Sequence, residues 1–342
     1  MISRASGRLS KTVFLIAGVA SAASATGSLA QRVQVADPYS DYTDDYVSTF
    51  SIIALDRATG ELGMGVQSKA FGAGNRAMTA KGGVAIIAHQ ASANPMYGPM
   101  TIDLIERGYS PKEALDQLVR SDEGRDRRQN AVIDIQGRTA AWTGESTNDW
   151  HGHTCGVDFC AQGNILAGPE VVDAMVVSFQ SSSGSLAERL MDALDAAQGA
   201  GGDARGMQSG AILVVAPRVR EAFHDRVVDI RVDDHRTPLA ELRRILDLQR
   251  SGEIIRDIGP LIEAEDLAGA LRVAEAAVEK SPGNDNAHVA LANVLLRMDD
   301  RDGAFVSLSQ AVELNPGRRT MLPRDGNFER LHADPRFLRI IR

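Results

Sequence analysis

The residues best placed to do chemistry cluster in one stretch. Thr49-Phe50-Ser51-Ile52-Ile53-Ala54 reads as a strand that begins at a threonine. After a glycine turn, a second strand runs into Gln67-Ser68-Lys69. A threonine at the head of a buried strand becomes a nucleophile if the chain is cut before it, because the freed α-amine takes the proton of its own hydroxyl. An α-amine titrates at about 7.7, close to the optimum for a base at neutral pH. Lys69 is the candidate to lower that pKa and to polarise a carbonyl. Both residues also have a structural reading, as a β-branched residue opening a strand and a solvated lysine closing one.

Other side chains could complete such a site. Gln90, Asn94, Gln162 and Asn164 are amides at strand ends that could donate to an oxyanion, or serve as turn residues. Arg127 and Arg128 follow Asp122, Glu123 and Asp126; a forked guanidinium there would grip a substrate carboxylate, or the group is a surface charge cluster. Ser51, Ser68 and Ser209 are alternative nucleophiles, none with an evident His-Asp partner. His151, His153, Cys155 and Cys160 read as two loop histidines beside a Cys155–Cys160 disulfide. The zinc alternative has a spacing, His-x-His-x-Cys-x4-Cys, that matches no standard site. The Gly199–Gly206 run lacks the Gly-Lys-Ser/Thr of a phosphate loop. No cofactor and no metal is expected.

The elements that must position these residues follow from pattern. Strands are expected at Phe50–Ala54 and Leu62–Ser68 around an Asp56–Gly60 turn, with Gly63 and Gly65 marking close backbone approach. Ala77–Ala80 and Val84–His89 pair around Gly82-Gly83, and Ala131–Asp134 and Thr139–Trp142 around Gln136-Gly137. Phe159–Leu166, Ala211–Ala216 and Val227–Val232 are further strands. Helices are expected at Tyr97–Arg107, from a Ser110-Pro111 capping box to about Val119, at Pro169–Phe179 and Leu186–Ala197, and from Thr237-Pro238 to about Leu248. Strands and helices in this order give a layered α+β domain over residues 49–234, with a connecting helix over 235–260.

From Leu261 the chain shows only helices and turns. Ser281-Pro282 and Asn315-Pro316 are 34 residues apart, the period of tetratricopeptide repeats. One repeat and part of a second fill residues 261–342. So short an array is marginal alone, so it is expected to pack on the preceding domain or on a protein partner.

Of the 342 residues, 44% are apolar and 24% charged, as in an ordinary globular protein. The net charge of −8, without basic blocks, argues against a nucleic-acid partner. Arg4, Arg8 and Lys11 precede an apolar run, Val13–Ala23, and two small-residue cleavage patterns, Ala23-Ser24-Ala25 and Ser28-Leu29-Ala30. This is the layout of a secretory signal peptide over residues 1–30, too short in its apolar part to remain as an anchor. Export to the periplasm or medium, with no membrane contact after signal removal, is the expectation. Removal takes the net charge from −8 to −11. The acidic, polar residues 31–48 read as a flexible lead-in.

Longer strings carry a family resemblance. Gly65-Val66-Gln67-Ser68-Lys69, Gln90 through Gly98, Arg127-Arg128-Gln129, Gln162 through Glu170, and Gly201-Gly202-Asp203 through Gln208-Ser209 join the Thr49 stretch. Together they make the segment from Thr49 to about Ala216 resemble the bacterial family known as domain of unknown function 1028, which is placed in the N-terminal-nucleophile hydrolase superfamily. The resemblance implies a four-layer αββα sandwich and self-association; it does not imply a substrate. Proteasome-type hydrolases are similar more faintly. Their second-strand Asp-Ser-Arg corresponds to Gln67-Ser68-Lys69 here, and their late Asp and Ser-Gly to Asp203 and Ser209-Gly210. Together with the residue chemistry above, the expected catalytic residues are Thr49, Lys69, Asn164 and Ser209, the expected substrate contacts are Ser68, Gln90, Asn94, Arg128, Gln162 and Asp203, and the expected substrate is a small amide, peptide or cyclic amide. The competing expectation is a binding protein that keeps the sandwich without the chemistry.

Overall fold

The computed structural model describes residues 49–147, 149–218 and 225–342. The signal peptide and lead-in expected before Thr49 lie outside them. Strand β1 (Thr49–Leu55) is rich in β-branched and aromatic side chains and is buried on both faces. Asp56 then turns the chain. Its carboxylate accepts from the Ala58 amide at 2.8 Å, and Gly60 takes φ +73°, which glycine adopts without a Cβ penalty. The chain returns as β2 (Leu62–Ser68). There follow α1 (Ala73–Arg76), β3 (Met78–Lys81), β4 (Ala85–Ala91), α2 (Tyr97–Glu106), α3 (Pro111–Ser121), β5 (Arg128–Asp134) and β6 (Thr139–Thr143). Next come β7 (Trp150–Gly156), β8 (Phe159–Leu166), α4 (Glu170–Ser181), α5 (Leu186–Gly199), β9 (Ser209–Val215) and β10 (Arg226–Val232).

These strands make two antiparallel sheets. One has the order β10-β9-β2-β1-β8-β7 and the other β3-β4-β5-β6. Side chains alternate along each strand, so the sheets carry different cores on their two faces. Ile53, Met64 and Val66 meet Ile86, Ala88 and Ile133 between the sheets. On the outer face of the larger sheet Phe50, Ile52 and Ile212 pack against α4 and α5 through Met175, Leu190 and Leu194. On the outer face of the smaller one Ile87 and Val132 pack against Tyr97, Leu104, Leu115 and Leu118 of α2 and α3. Gly63 lets α5 close in: a Cβ there would fall 2.7 Å from Leu190 and 2.8 Å from Leu186. The capping box at Ser110 forms as expected, Ser110 and Glu113 each satisfying the other's backbone amide.

The rest is helical: α6 (Pro238–Arg256), α7 (Ile258–Glu263), α8 (Leu267–Lys280), α9 (Asp285–Arg297), α10 (Arg301–Leu314), α11 (Arg318–Met321) and α12 (Pro335–Ile340). Small residues at the crossings, Ala270, Ala274 and Ala304, are fully buried. The helical region docks on the sheet region through α6. Ser251 donates to the Ala277 carbonyl at 2.7 Å, and Asn284 donates back to Ser251 at 2.9 Å. Lys280 meets Glu188 on α5 at 2.7 Å and Asp247 on α6 at 3.1 Å.

Two expectations need correction. His151 and His153 do not lie in a loop; they lie on β7. That strand is at the sheet edge and half-exposed, so it lacks the apolar alternation that announces a strand. The helix expected to end near Leu248 continues to Arg256. Its later turns find an apolar partner only in the helical region, through Ile255, a contact invisible to local pattern.

Candidate active site

Register decides which residues meet. Because β1 lies between β2 and β8, one row crosses the larger sheet through Ser209, Ser68, Thr49, Asn164 and His151. Two residues along, on the same face, lie Ser51 and Gln162. The smaller sheet presents Gln90 and Gln129, paired across β4 and β5. Thr49, Ser51, Ser68, Gln90, Gln129, Gln162 and Asn164 are each no more than 2% exposed. A polar cluster thus occupies one end of an otherwise apolar space between sheets. Each buried amide or hydroxyl left unbonded there would cost about 1–3 kcal/mol.

The cluster is a connected network. Thr49 donates from Oγ1 to Ser68 Oγ at 3.1 Å. Ser51 donates to Gln90 Oε1 at 2.7 Å. Gln90 Nε2 is 3.1 Å from the Thr49 carbonyl oxygen and 2.7 Å from Gln129 Oε1. Asn164 Nδ2 reaches the same Gln129 oxygen at 2.9 Å and the Thr49 carbonyl at 3.5 Å. Gln162 Nε2 lies 3.4 Å from Ser51. Gln129 Nε2 in turn binds the Gly163 carbonyl at 2.8 Å, the Gly152 carbonyl at 3.1 Å and Thr143 Oγ1 at 3.0 Å. His153 extends the chain to Thr143 at 2.9 Å, and burial pushes its pKa down.

Gln129 is therefore the hub that ties the two sheets together, and sequence reasoning gave it no role. The available signal was its place in the Arg127-Arg128-Gln129 string that carries the family resemblance. The amides of Gln90 and Asn164, expected to serve an oxyanion, are instead spent on the main chain of Thr49 and on Gln129. They position β1.

Other expected site residues are brought near but occupied otherwise. Lys69 lies just past β2 and is exposed; its Nζ donates to the Met207 carbonyl at 3.3 Å, because the chain bends away after Ser68. Ser209 donates to the Ala70 carbonyl at 2.6 Å and accepts from the Ala73 amide at 3.0 Å, so it pins the turn after β2. Asp203 accepts from the Lys69 amide at 2.8 Å and from the Arg205 amide at 2.9 Å, stapling two loops. Asn94 accepts from the Met96 amide at 3.0 Å, which is turn chemistry. Arg128 is not a surface charge: it is buried with Asp122, Nε to Oδ2 at 3.0 Å, and bonds the Ser92 carbonyl. Cys155 and Cys160 stand opposite each other on β7 and β8 and are joined as a disulfide. Among the described residues no group of three or more His, Cys, Asp or Glu side chains could hold a metal ion.

The network opens on a cleft of about 540 Å³, lined by Thr49, Gln90, Ser92, His89, Arg76 and Arg127 among others. Two strained residues adjoin the network. Ala91, after Gln90, has φ 64°, and Ile165, after Asn164, has φ 51°. The left-handed region is costly for a β-branched side chain, and such strain persists where surroundings over-determine the backbone.

His89 forms part of the cleft wall from the opposite face of β4. Burial pushes its pKa down to about 4, and its Nε2 lies 3.0 Å from Thr79 Oγ1. The unfolded imidazole takes a proton below about 6.5, whereas the folded one resists until about 4. The contribution of His89 to stability is therefore expected to be constant above pH 6.5 and to fall by roughly 3 kcal/mol as pH drops from 6.5 to 4. Burial pushes the Glu188 carboxyl up, but hydrogen bonds from Lys280 and Ser185 outweigh it and hold it at about 2. Its contribution is lost below pH 4.5, a lower window. Urea titrations at stepped pH check this: His89→Gln should flatten the slope between pH 6.5 and 4.5, and an unchanged slope would refute the assignment.

These features define a protein with two antiparallel sheets, helices outside them, a buried polar cluster opening on a cleft between elements, and an all-helical C-terminal region. The chain belongs to the family of unknown function DUF1028, whose model matches residues 49–242. A tetratricopeptide repeat model matches residues 261–320. The chain is similar to the crystal structure of protein SPO2555 from Silicibacter pomeroyi, itself described by the DUF1028 family model. The likeness has 30% identity and a TM-score of 0.54, over 58% of this chain and 84% of that one. No curated protein matches.

Proposed function

We propose that the protein is an exported hydrolase of the N-terminal-nucleophile type, built as a four-layer αββα sandwich, that cleaves a small amide, peptide or cyclic amide through Thr49. One observation carries this reading. Thr49 heads the central β1, lines the cleft, and has its hydroxyl and carbonyl held by Ser68, Gln90 and Asn164 in a buried polar network. Packing alone asks for apolar side chains there.

The side chains grouped around Thr49 are amides and hydroxyls, none of which is a base at neutral pH. His89, held near 4, is a weak base and faces away from Gln90 across β4. Cleavage of the Ser48–Thr49 bond supplies the missing base as an α-amine. Thr49 Oγ1 then attacks the amide carbon, its proton passes through the α-amine to the leaving nitrogen, and the amine departs. Water hydrolyses the resulting ester and returns the threonine. The helical region would recruit a protein partner or order a homo-oligomer.

The test is the N-terminal sequence and intact mass of protein recovered from the periplasm or medium of its native host. A mature chain that begins at Thr49 and turns over members of an amide panel is the expected result. A stable chain that begins at Thr26 or Gln31 would sink the mechanism. It would favour a ligand-binding protein that keeps the cleft without the chemistry.

A further inference from the structure

The rim of the cleft has a charge of one sign. Arg76, at the end of α1, and Arg127, just before β5, both line it and both are exposed. Among the described residues neither has a carboxylate partner. Arg128 lines the cleft as well but is already paired with Asp122, and among the described residues that line the cleft there is no aspartate or glutamate. This is a local positive mouth on a chain with net charge −8. Two arginines lining one cavity, without acids to pair them, lower the energy of an entering anion, and their planar forks suit a carboxylate. A cavity of about 540 Å³ holds a molecule the size of a dipeptide.

We infer that the cleft binds a small carboxylate-bearing amide of the N-acyl amino acid class, its carboxylate held by Arg76 and Arg127 and its amide directed toward Thr49. Only the direction of the amide rests on the hydrolase proposal; the charge selection stands apart from it.

The experiment is titration calorimetry with the N-acetyl derivatives of alanine, aspartate and glutamate, each as free acid and as C-terminal amide. Full-length secreted protein carrying Thr49→Ala is used so that no probe is consumed. At least one acid should bind at least tenfold more tightly than its amide, and added salt should weaken it. Arg76→Gln with Arg127→Gln should remove that preference; both side chains are exposed, so the fold is expected to survive, which circular dichroism checks. Equal binding of acid and amide, an unchanged preference in the double variant, or no binding by any probe would overturn the inference. Charge-selective binding in a protein that never turns over an amide would refute the hydrolase and leave this inference standing. Turnover indifferent to both arginines would do the reverse.

Discussion

Thr49→Ala is expected to lower amide hydrolysis by the mature protein on the order of 10⁴- to 10⁶-fold, the loss that follows removal of a nucleophile from an assembled site. The cost to folding should be small by comparison. The Thr49 hydroxyl donates to Ser68 at 3.1 Å, and such a bond contributes about 1 kcal/mol. The carbonyl, which Gln90 holds at 3.1 Å, is main chain and survives the substitution. Thr49→Ser keeps the attacking oxygen and should retain measurable turnover, which separates loss of the nucleophile from disturbance of β1. Steady-state rates on a responsive amide, read beside thermal unfolding, check both. If Thr49→Ala turns over as fast as the parent, the nucleophile lies elsewhere.

Asp122→Ala is expected to destabilise the protein by about 3–5 kcal/mol, the penalty for leaving one member of a buried pair uncompensated. Both side chains are nearly inaccessible, Asp122 at 2% and Arg128 at 3%. Asp122 also accepts the Tyr97 hydroxyl at 3.0 Å, so the substitution orphans a charge and a phenol together. The pair anchors the start of β5, directly before the hub residue Gln129, and Arg128 also bonds the Ser92 carbonyl at the cleft. Loosening it should therefore blunt ligand binding as well as stability. Replacing both partners, Asp122→Ala with Arg128→Met, should recover part of the loss because no buried charge remains. Urea unfolding measures each variant. A single-variant loss under about 1 kcal/mol would show that water reaches the guanidinium.

Much of the fold was legible in the sequence because its cues are local. The turn at Asp56–Gly60, the capping box at Ser110, the strand glycines under α5 and the 34-residue helical period each arise from neighbours along the chain. The threonine at the head of β1 was equally visible. β7 was not, since an exposed edge strand owes its form to the partner β8 rather than to its own pattern. The later turns of α6 were hidden for the same reason.

What the residues do at the site was decided by tertiary structure. Sequence placed Gln90, Asn164, Ser209, Asp203 and Arg128 among the actors. It could not say which would face the cleft and which would be spent on backbone. Hydrogen-bond partners more than a hundred residues apart, such as Asn164 with Thr49 and Asp203 with Lys69, depend on sheet order and register. Gln129 shows the limit most clearly. An amide within a strand has no meaning of its own until the facing sheet supplies Gly152, Gly163 and Asn164 around it. The sequence by itself determined every strand but β7, the helical repeat, the net charge and the threonine. Only the packing of one sheet on the other decided that Thr49 sits in a buried polar cluster with arginines at its mouth. Burial, and with it the strength of every polar contact, is a property of the whole assembly rather than of any segment.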